Sequence, residues 1–283
     1  MSEKRGRLRL NEELVAEIQR KARSKLGECK KQGDIIGSQI FSILSLYTRV
    51  LYYPLGKKGP WGITYIDGTK HTNPDIKPFV AINTSIPVDG QVFAAAHELY
   101  HIWYDQRPVT LSSSILYVTN GQNNTPDISE LKANRFAAEF LVEEDLLHRE
   151  MRLYSITPGK ITIKNILTLA SLFTVPYRTM VKRLYEVDAI NGKEQIKYLG
   201  LSEIEIEQLQ KRFSIPIPES DNRIALDNLV DLAVSTYEKK LIAYEKLEYL
   251  LSINKLDPID VGISAPEAFI PLSDDDLEDI LEE

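Results

Sequence analysis

The stretch FAAAHELYHIWYD, residues 93–105, contains two histidines four positions apart, with a glutamate directly after the first. On a helix, residues i and i+4 lie on one face, so His97 and His101 can bind one metal ion. Glu98 lies about a hundred degrees around the helix from His97. Its carboxylate would therefore lie beside the ion, where it can take a proton from a zinc-bound water. This spacing predicts metal-assisted hydrolysis of an amide.

The same stretch also suits an ordinary buried helix, because apolar and aromatic residues surround both histidines. However, the chain has only four histidines in 283 residues. A chance HExxH pattern is therefore rare, although the motif alone does give false positives. A strand-like run, PFVAINTSI, precedes the HExxH stretch. The three alanines in front of His97 allow a neighbouring element to pack closely on the helix. We therefore favour the metal site.

Catalytic zinc usually has three protein ligands and one open position, so a third ligand has to come from elsewhere in the chain. The other histidines, His71 and His148, lie in a turn-rich stretch and at the end of a later predicted helix. No predicted helix or strand directs either of these side chains towards His97 and His101. Asp105 lies one turn beyond His101, and three ligands in a row along one helix diverge too far to close a tetrahedron. We expect Asp105 to cap the helix or to contact a ligand.

A carboxylate on the next helix is the better candidate for the third ligand. The acidic residues considered there are Glu130, Glu139, Glu143 and Glu144. Glu130 shares a helix face with Asn134, whereas Glu139 points to the opposite side and Glu144 lies roughly 21 Å further along the axis. The sequence therefore predicts Glu130 as the ligand, with Asn134 orienting a ligand histidine through its second nitrogen. The alternative is that Glu130 is an exposed helical carboxylate.

The elements that must position these residues follow from hydrophobic periodicity. Helical spacing is found over 10–31 and again to about Tyr47, and three strand-like runs follow: TRVLYYPL, GITYID and PFVAINTSI. Asp89 is at a helix N-cap position before the HExxH helix, and Thr125 caps a helix that runs to about His148. The pattern predicts an α+β fold in which a small antiparallel sheet packs with helices, followed by an all-helical C-terminal region.

These elements resemble the ImmA/IrrE family of zinc metallopeptidases. That family has an apolar strand with Ile-Asn, a helix with HExxH, and a helix reading Glu-x-x-Ala-Asn-x-Phe-Ala-Ala, and this chain has FVAINTSI, VFAAAHELYHIWYD and SELKANRFAAEFLVEEDL. The match covers about residues 35–150 and departs from the usual LLMP ending of the last motif. The resemblance implies a zincin-like core and Zn²⁺ bound by His97, His101 and Glu130. It also implies Glu98 as the catalytic base and a helix-turn-helix repressor as the substrate.

The predicted organisation has three parts. Residues 1–155 form the HExxH peptidase-like domain, 156–200 a helix-turn-helix-like helical pair, and 201–283 an acidic helical region with a frayed tail. The last part carries seven Lys/Arg against twenty Asp/Glu, which argues against its lying on a phosphate backbone. It is a solvated helical face or, alternatively, a surface for a basic partner.

The pattern at 169–190, LASLFTVPYRTMVKRLYEVDAI, has helix-turn-helix spacing and resembles the helical pair that follows the peptidase core in this family. If the pair bound DNA, it would expose a small group of basic residues, Arg178, Lys182 and Arg183. Packing on the catalytic domain or recognition of the substrate is at least as consistent with the pattern, and the acidic region that follows favours it. Direct DNA binding is therefore not the favoured interpretation.

The composition limits the kinds of metal site and the cellular location that the chain can have. The net charge is −7, and the one cysteine, Cys29, excludes both an internal disulfide and a cysteine-ligated zinc site. We find neither a secretory signal nor a membrane span, and a reducing, cytoplasmic location fits. Tyr117 and His148 are weak candidates for the group that stabilises the oxyanion. We predict a zinc endopeptidase that acts on a protein regulator; the alternative is a DNA-binding or protein-binding regulator that keeps the peptidase fold as a sensor or scaffold.

Overall fold

A computed structural model describes residues 10–65, 77–105 and 128–265. The fold is mixed α and β, as predicted, and the chain divides into two compact units, 1–227 and 228–283. The predicted helical pair and the start of the acidic region thus lie in the same unit as the peptidase-like elements. The three-part division at 155 and 200 stays a prediction.

The helices of the first unit are α1 Glu12–Glu28, α2 Gln39–Tyr47, α3 Val88–Tyr104, α4 Ile128–Leu141, α5 Glu144–Leu153, α6 Ile163–Phe173, α7 Tyr177–Glu186, α8 Gly192–Leu199 and α9 Glu203–Arg212. Its strands are β1 Arg49–Tyr53, β2 Gly62–Tyr65, β3 Phe79–Asn83 and β4 Ala225–Leu226. The second unit contains α10 Leu229–Glu238, α11 Tyr244–Ser252 and a 3₁₀ turn, Pro258–Val261. A small core of Ala233, Leu247 and Leu251 holds these elements together.

The sheet is mixed, in the order β2-β3-β1-β4. β2 pairs antiparallel with β3, and β4 pairs antiparallel with β1, but β1 and β3 are parallel. The prediction of an antiparallel sheet is therefore wrong for this central pair. In the sheet, β3 lies between β1 and β2. Two reversals of the chain then bring β3 back to the direction of β1.

α3 is the central helix of the first unit. Every residue from Gly90 to Ile102 is buried, as expected of a helix that is covered on all sides. α3 packs against α4, α2 and β2, and its alanine run, Ala94 to Ala96, is fully buried. The predicted N-cap, Asp89, lies in the first turn, and Pro87 occupies the cap position.

The helix that carries Glu130 differs from the prediction. A single helix to about His148 is wrong, because the chain breaks at Val142 and Glu143 into α4 and α5. Thr125, the predicted N-cap, lies outside the described residues. The helical pair is confirmed: α6 ends at Phe173, its C-cap Thr174 has a left-handed φ of 53°, and α7 follows after Pro176.

α7 packs on α4 through a buried ion-pair network. Arg183 is 0% exposed and lies 2.8 Å from Glu139 and 3.0 Å from Glu186. Arg135 of α4 lies 2.8 Å from Glu186 and closes the network. Arg178 donates hydrogen bonds to the carbonyls of residues 199 and 201. DNA reading requires these arginines to be exposed, whereas Arg183 is fully buried and the guanidinium of Arg178 is bound to backbone carbonyls.

The segment after α9 returns to the sheet. The backbone N–H of Val88 donates to Glu219, that of Asn222 to Thr84, and that of Asp227 to Val50, at 3.0–3.1 Å. The two residues of β4 pair with β1 in the same segment. Part of the acidic region therefore completes the sheet, which no sequence pattern indicated. No helix of the described residues is long and apolar enough to cross a membrane.

Candidate metal centre

α3 places the two histidines of the HExxH motif side by side. His97 is 0% exposed and His101 is 6% exposed, and their Nε2 atoms lie 3.1 Å apart. Their spacing of one helical turn brings both rings to the same face, as predicted.

Glu130 joins this pair from α4. Its Oε2 lies 3.2 Å from Nε2 of His97, and its Oε1 lies 3.4 Å from Nε2 of His101. One ligand atom from each of the three residues lies within 4.8 Å of the others. Packing of aromatic rings sets the position of α4, since Phe136 lies 5.6 Å from Tyr100, centroid to centroid. The structure thus brings together the three residues that the sequence singled out as ligands.

The other nitrogen of each histidine is held by an acceptor. His97 Nδ1 lies 3.1 Å from Asn134 Oδ1, and His101 Nδ1 lies 3.2 Å from Asp105 Oδ2. Both partners accept hydrogen bonds, so both Nδ1 atoms carry the proton. Ser129 donates to the same oxygen of Asp105. Asn134 and Asp105 thus lie where the sequence analysis expected them, against ligand histidines, while Ser129 was missed.

This arrangement fits a bound metal ion. With Nδ1 protonated, both Nε2 atoms are bare acceptors, and at 3.1 Å they repel each other unless a cation lies between them. Burial, and to a smaller extent His97, lowers the pKa of His101, which favours the neutral ligand form. Glu130 Oε2 is buried and has no hydrogen-bond donor among the described residues. Ligand atoms about 2.0–2.1 Å from zinc are about 3.3 Å apart in a tetrahedron, close to the observed separations.

Glu98 lies beside this group. Its side chain is fully buried, and Oε2 accepts a 2.5 Å hydrogen bond from the hydroxyl of Thr64. Oε1 has no donor among the described residues. Burial raises the pKa of Glu98 to about 7, against the opposing effects of His97 and the Thr64 hydrogen bond. A carboxyl group with a pKa near neutrality is suited to taking and returning a proton.

The remaining predicted site residues lie elsewhere. Tyr117 and His71 are outside the described residues. His148 lies on α5 and is not part of the ligand group found among the described residues. Glu139 points to the opposite side of α4, towards Arg183.

We expect Asn134 and Asp105 to be needed for tight metal binding. Asn134→Ala or Asp105→Ala frees a ligand histidine to rotate or change tautomer, and loss of such an outer partner typically weakens metal affinity by about 10–100-fold. The measurement is a competition titration of zinc against a chromophoric chelator. Asn254→Ala, in the second compact unit, is the control; equal zinc affinities for all these variants would contradict the orienting role.

Comparison with known proteins agrees with this geometry. Residues 46–185 match the family model Peptidase_M78, the IrrE N-terminal-like domain. No curated protein and no solved structure gives a significant match. The matched residues contain β1 to β3, the helices α3 and α4 that carry His97, His101 and Glu130, and most of the helical pair. The domain formed by residues 46–185 is thus of the IrrE N-terminal-like, Peptidase_M78 type, a metallopeptidase domain.

Proposed function

We propose that the chain is a zinc-dependent endopeptidase in which Glu98 activates the attacking water. The observation that carries this proposal is the convergence of His97, His101 and Glu130, with their ligand atoms within 4.8 Å and the buried Glu98 carboxylate on the neighbouring residue. Two histidines and one glutamate are a donor set used by catalytic zinc sites in proteases.

Zinc, when bound, would supply a Lewis acid that acidifies water and polarises the scissile carbonyl. The residues of the chain would bind the ion, orient its ligands and transfer the proton. His97, His101 and Glu130 hold the ion, and Asn134 fixes the orientation of His97. Glu98 accepts the proton from water at Oε1, the oxygen without a donor among the described residues, and returns it to the leaving amine.

The sheet supports one mode of binding for a protein substrate. β2 is one of the two edge strands of the sheet formed by the described residues, and it packs against α3. An extended segment can add to such an edge through main-chain hydrogen bonds. Since Thr64 of β2 contacts Glu98, a segment paired with β2 would present a peptide bond near the base.

We further propose that the substrate is a helix-turn-helix transcriptional repressor in the cytoplasm. This rests on the resemblance of the three motifs to the ImmA/IrrE family. The alternative of direct DNA reading by the helical pair has less support, because Arg183 is 0% exposed and is paired with Glu139 and Glu186. The acidic C-terminal region as a surface for a basic partner stays a prediction.

The test of the substrate class is a comparison of new protein N-termini in cells that express the chain or its Glu98→Gln variant. We expect fragments of a helix-turn-helix repressor that appear only with the wild-type chain, and the purified pair should reproduce the cleavage. Cleaved proteins that lack a helix-turn-helix domain would contradict the proposed substrate class. Equal N-termini in both samples would contradict the peptidase proposal.

A further inference from the structure

One face of β2 is directed at the Glu98 side chain. Residues i and i+2 of a strand lie on the same face, and in β2 these are Gly62 and Thr64, both of which are buried, whereas Ile63 is half-buried and Tyr65 is exposed. We infer that Gly62 and Thr64 are positioning residues: together they hold the Glu98 carboxylate so that one oxygen is fixed and the other is available for proton transfer. The inference rests on the proposed role of Glu98.

Thr64 fixes the first oxygen. Its hydroxyl is 2.5 Å from Oε2 of Glu98, and both side chains are fully buried. An ionised carboxylate can only accept hydrogen bonds, so the hydroxyl is the donor. A hydrogen bond to a charged group in a buried site is stronger than a neutral one. Thr64 therefore locks the rotation of the carboxylate about its last bond.

Gly62 makes room for the second oxygen. A Cβ at this position would lie 2.5 Å from Oε1 of Glu98, 2.8 Å from its Cγ and 2.9 Å from its Cδ. Each of these separations is far below van der Waals contact, and the three nearest atoms all belong to the Glu98 side chain. An alanine at 62 would therefore collide with the Glu98 side chain and displace its carboxylate.

The start of β2 is itself anchored. The side chain of Asn83, which is 0% exposed, accepts from the N–H of Leu55 and donates to the carbonyls of Gly56 and Pro60. Its backbone N–H also donates to Trp61, directly before Gly62, at 2.9 Å. The positions of Gly62 and Thr64 are thus set by the β1–β2 loop and by the pairing of β2 with β3.

This geometry assigns different tasks to the two oxygens of Glu98. Oε2 is bound to Thr64, and Oε1, without a donor among the described residues, faces the close approach of Gly62. Oε1 is then the proton acceptor. A residue that rotates or displaces the carboxylate would impair proton transfer without touching any of the three metal ligands.

The experiment uses the full chain loaded with zinc and acetohydroxamate as a probe, so that no knowledge of the substrate is needed. A hydroxamate chelates zinc and gives up a proton to a carboxylate beside the metal, so its affinity reports the placement of Glu98. The variants are Thr64→Val, which removes the hydroxyl at constant size, Thr64→Ser, which keeps it, and Gly62→Ala. Ile63→Val, on the other face of β2, is the matched control. Bound zinc per chain is measured for every sample.

We expect Thr64→Val and Gly62→Ala to weaken acetohydroxamate binding by about tenfold or more while zinc content stays at the wild-type level. Thr64→Ser and Ile63→Val should stay within about threefold of the wild type. In a Glu98→Gln background, Thr64→Val should add no further loss, since it acts through Glu98. This last comparison separates positioning from a general effect on the fold.

The outcomes are distinguishable. Wild-type affinity in Thr64→Val and Gly62→Ala, with zinc bound, would overturn the positioning roles and leave the peptidase proposal standing. An equal loss from Thr64→Val with and without Glu98→Gln would overturn them as well. A wild-type chain that takes up no zinc would overturn the proposed function, and the inference with it.

Discussion

Replacing Glu98 with glutamine is expected to lower the rate of peptide hydrolysis by about 10²–10⁴-fold, with zinc still bound. Glutamine has nearly the same size and can still accept the Thr64 hydrogen bond, but its amide takes no proton from water. Glu98 is not one of the three residues whose ligand atoms converge, so metal content should not change. The measurements are initial rates on the repressor identified as above and zinc per chain.

Glu203→Gln, an exposed carboxylate in the first turn of α9, is the control for this substitution. It should have wild-type activity. Retained cleavage by the Glu98 variant would contradict the assigned mechanism. A loss of zinc together with activity would instead place Glu98 among the ligands.

The second large effect is expected on stability, at the junction of α4 and α7. Arg183→Met would remove the partner at 2.8 Å from the carboxylate of Glu139, which is 6% exposed and would keep only Arg135, at 2.5 Å. It would also remove the donor from the carbonyl of Val142. Removing one member of a buried ion pair typically lowers the free energy of unfolding by about 3–5 kcal/mol. Urea unfolding of the metal-free chain measures this loss.

Two further variants test whether the unpaired charge causes the loss of stability. Arg183→Met combined with Glu139→Met removes both charges and keeps the 2.8 Å pair of Arg135 with Glu186, so the double variant should recover part of the lost stability. Arg152→Met, on an exposed side chain of α5, should change the free energy of unfolding by less than about 0.5 kcal/mol. A small cost for Arg183→Met alone would contradict a stabilising network.

Much of the candidate site could be predicted because it depends on helix geometry. The spacing of His97 and His101, and of Glu130 and Asn134, is fixed by 3.6 residues per turn, whatever the rest of the fold does. Helix geometry then favoured Glu130 among the acidic residues of the next helix, and the structure places it 3.2 Å from His97. The interaction of Asp105 with His101 follows from the same turn.

The contributions of the sheet could not be predicted in the same way. Thr64 and Gly62 are ordinary residues of the run GITYID, and nothing local indicates that β2 packs on α3 beside Glu98. The alternation in β2 does show that they share a face, which was the only available signal. The parallel pairing of β1 and β3 and the two-residue β4 depend on long-range contacts, which periodicity does not report.

The break between α4 and α5 was missed for a local reason. The residues from Leu141 to Asp145 contain no Gly or Pro, and Leu141, Glu143 and Glu144 are good helix formers. The helix nevertheless ends, and the freed carbonyl of Val142 accepts a hydrogen bond from buried Arg183 on α7. A tertiary contact therefore overrides local propensity there, and sequence reasoning had placed Arg183 on an exposed face.

The central claim is that His97, His101 and Glu130 form a zinc site, and metal analysis of purified protein tests it most directly. Wild-type chain, Glu130→Ala and the control Asp145→Ala, a surface carboxylate with 80% exposure, are exchanged into buffer with zinc, desalted and measured by mass spectrometry of metals. We expect about one zinc ion per chain in the wild type and the control, and a large loss in Glu130→Ala. Full zinc occupancy in Glu130→Ala, or none in the wild type, would contradict the account.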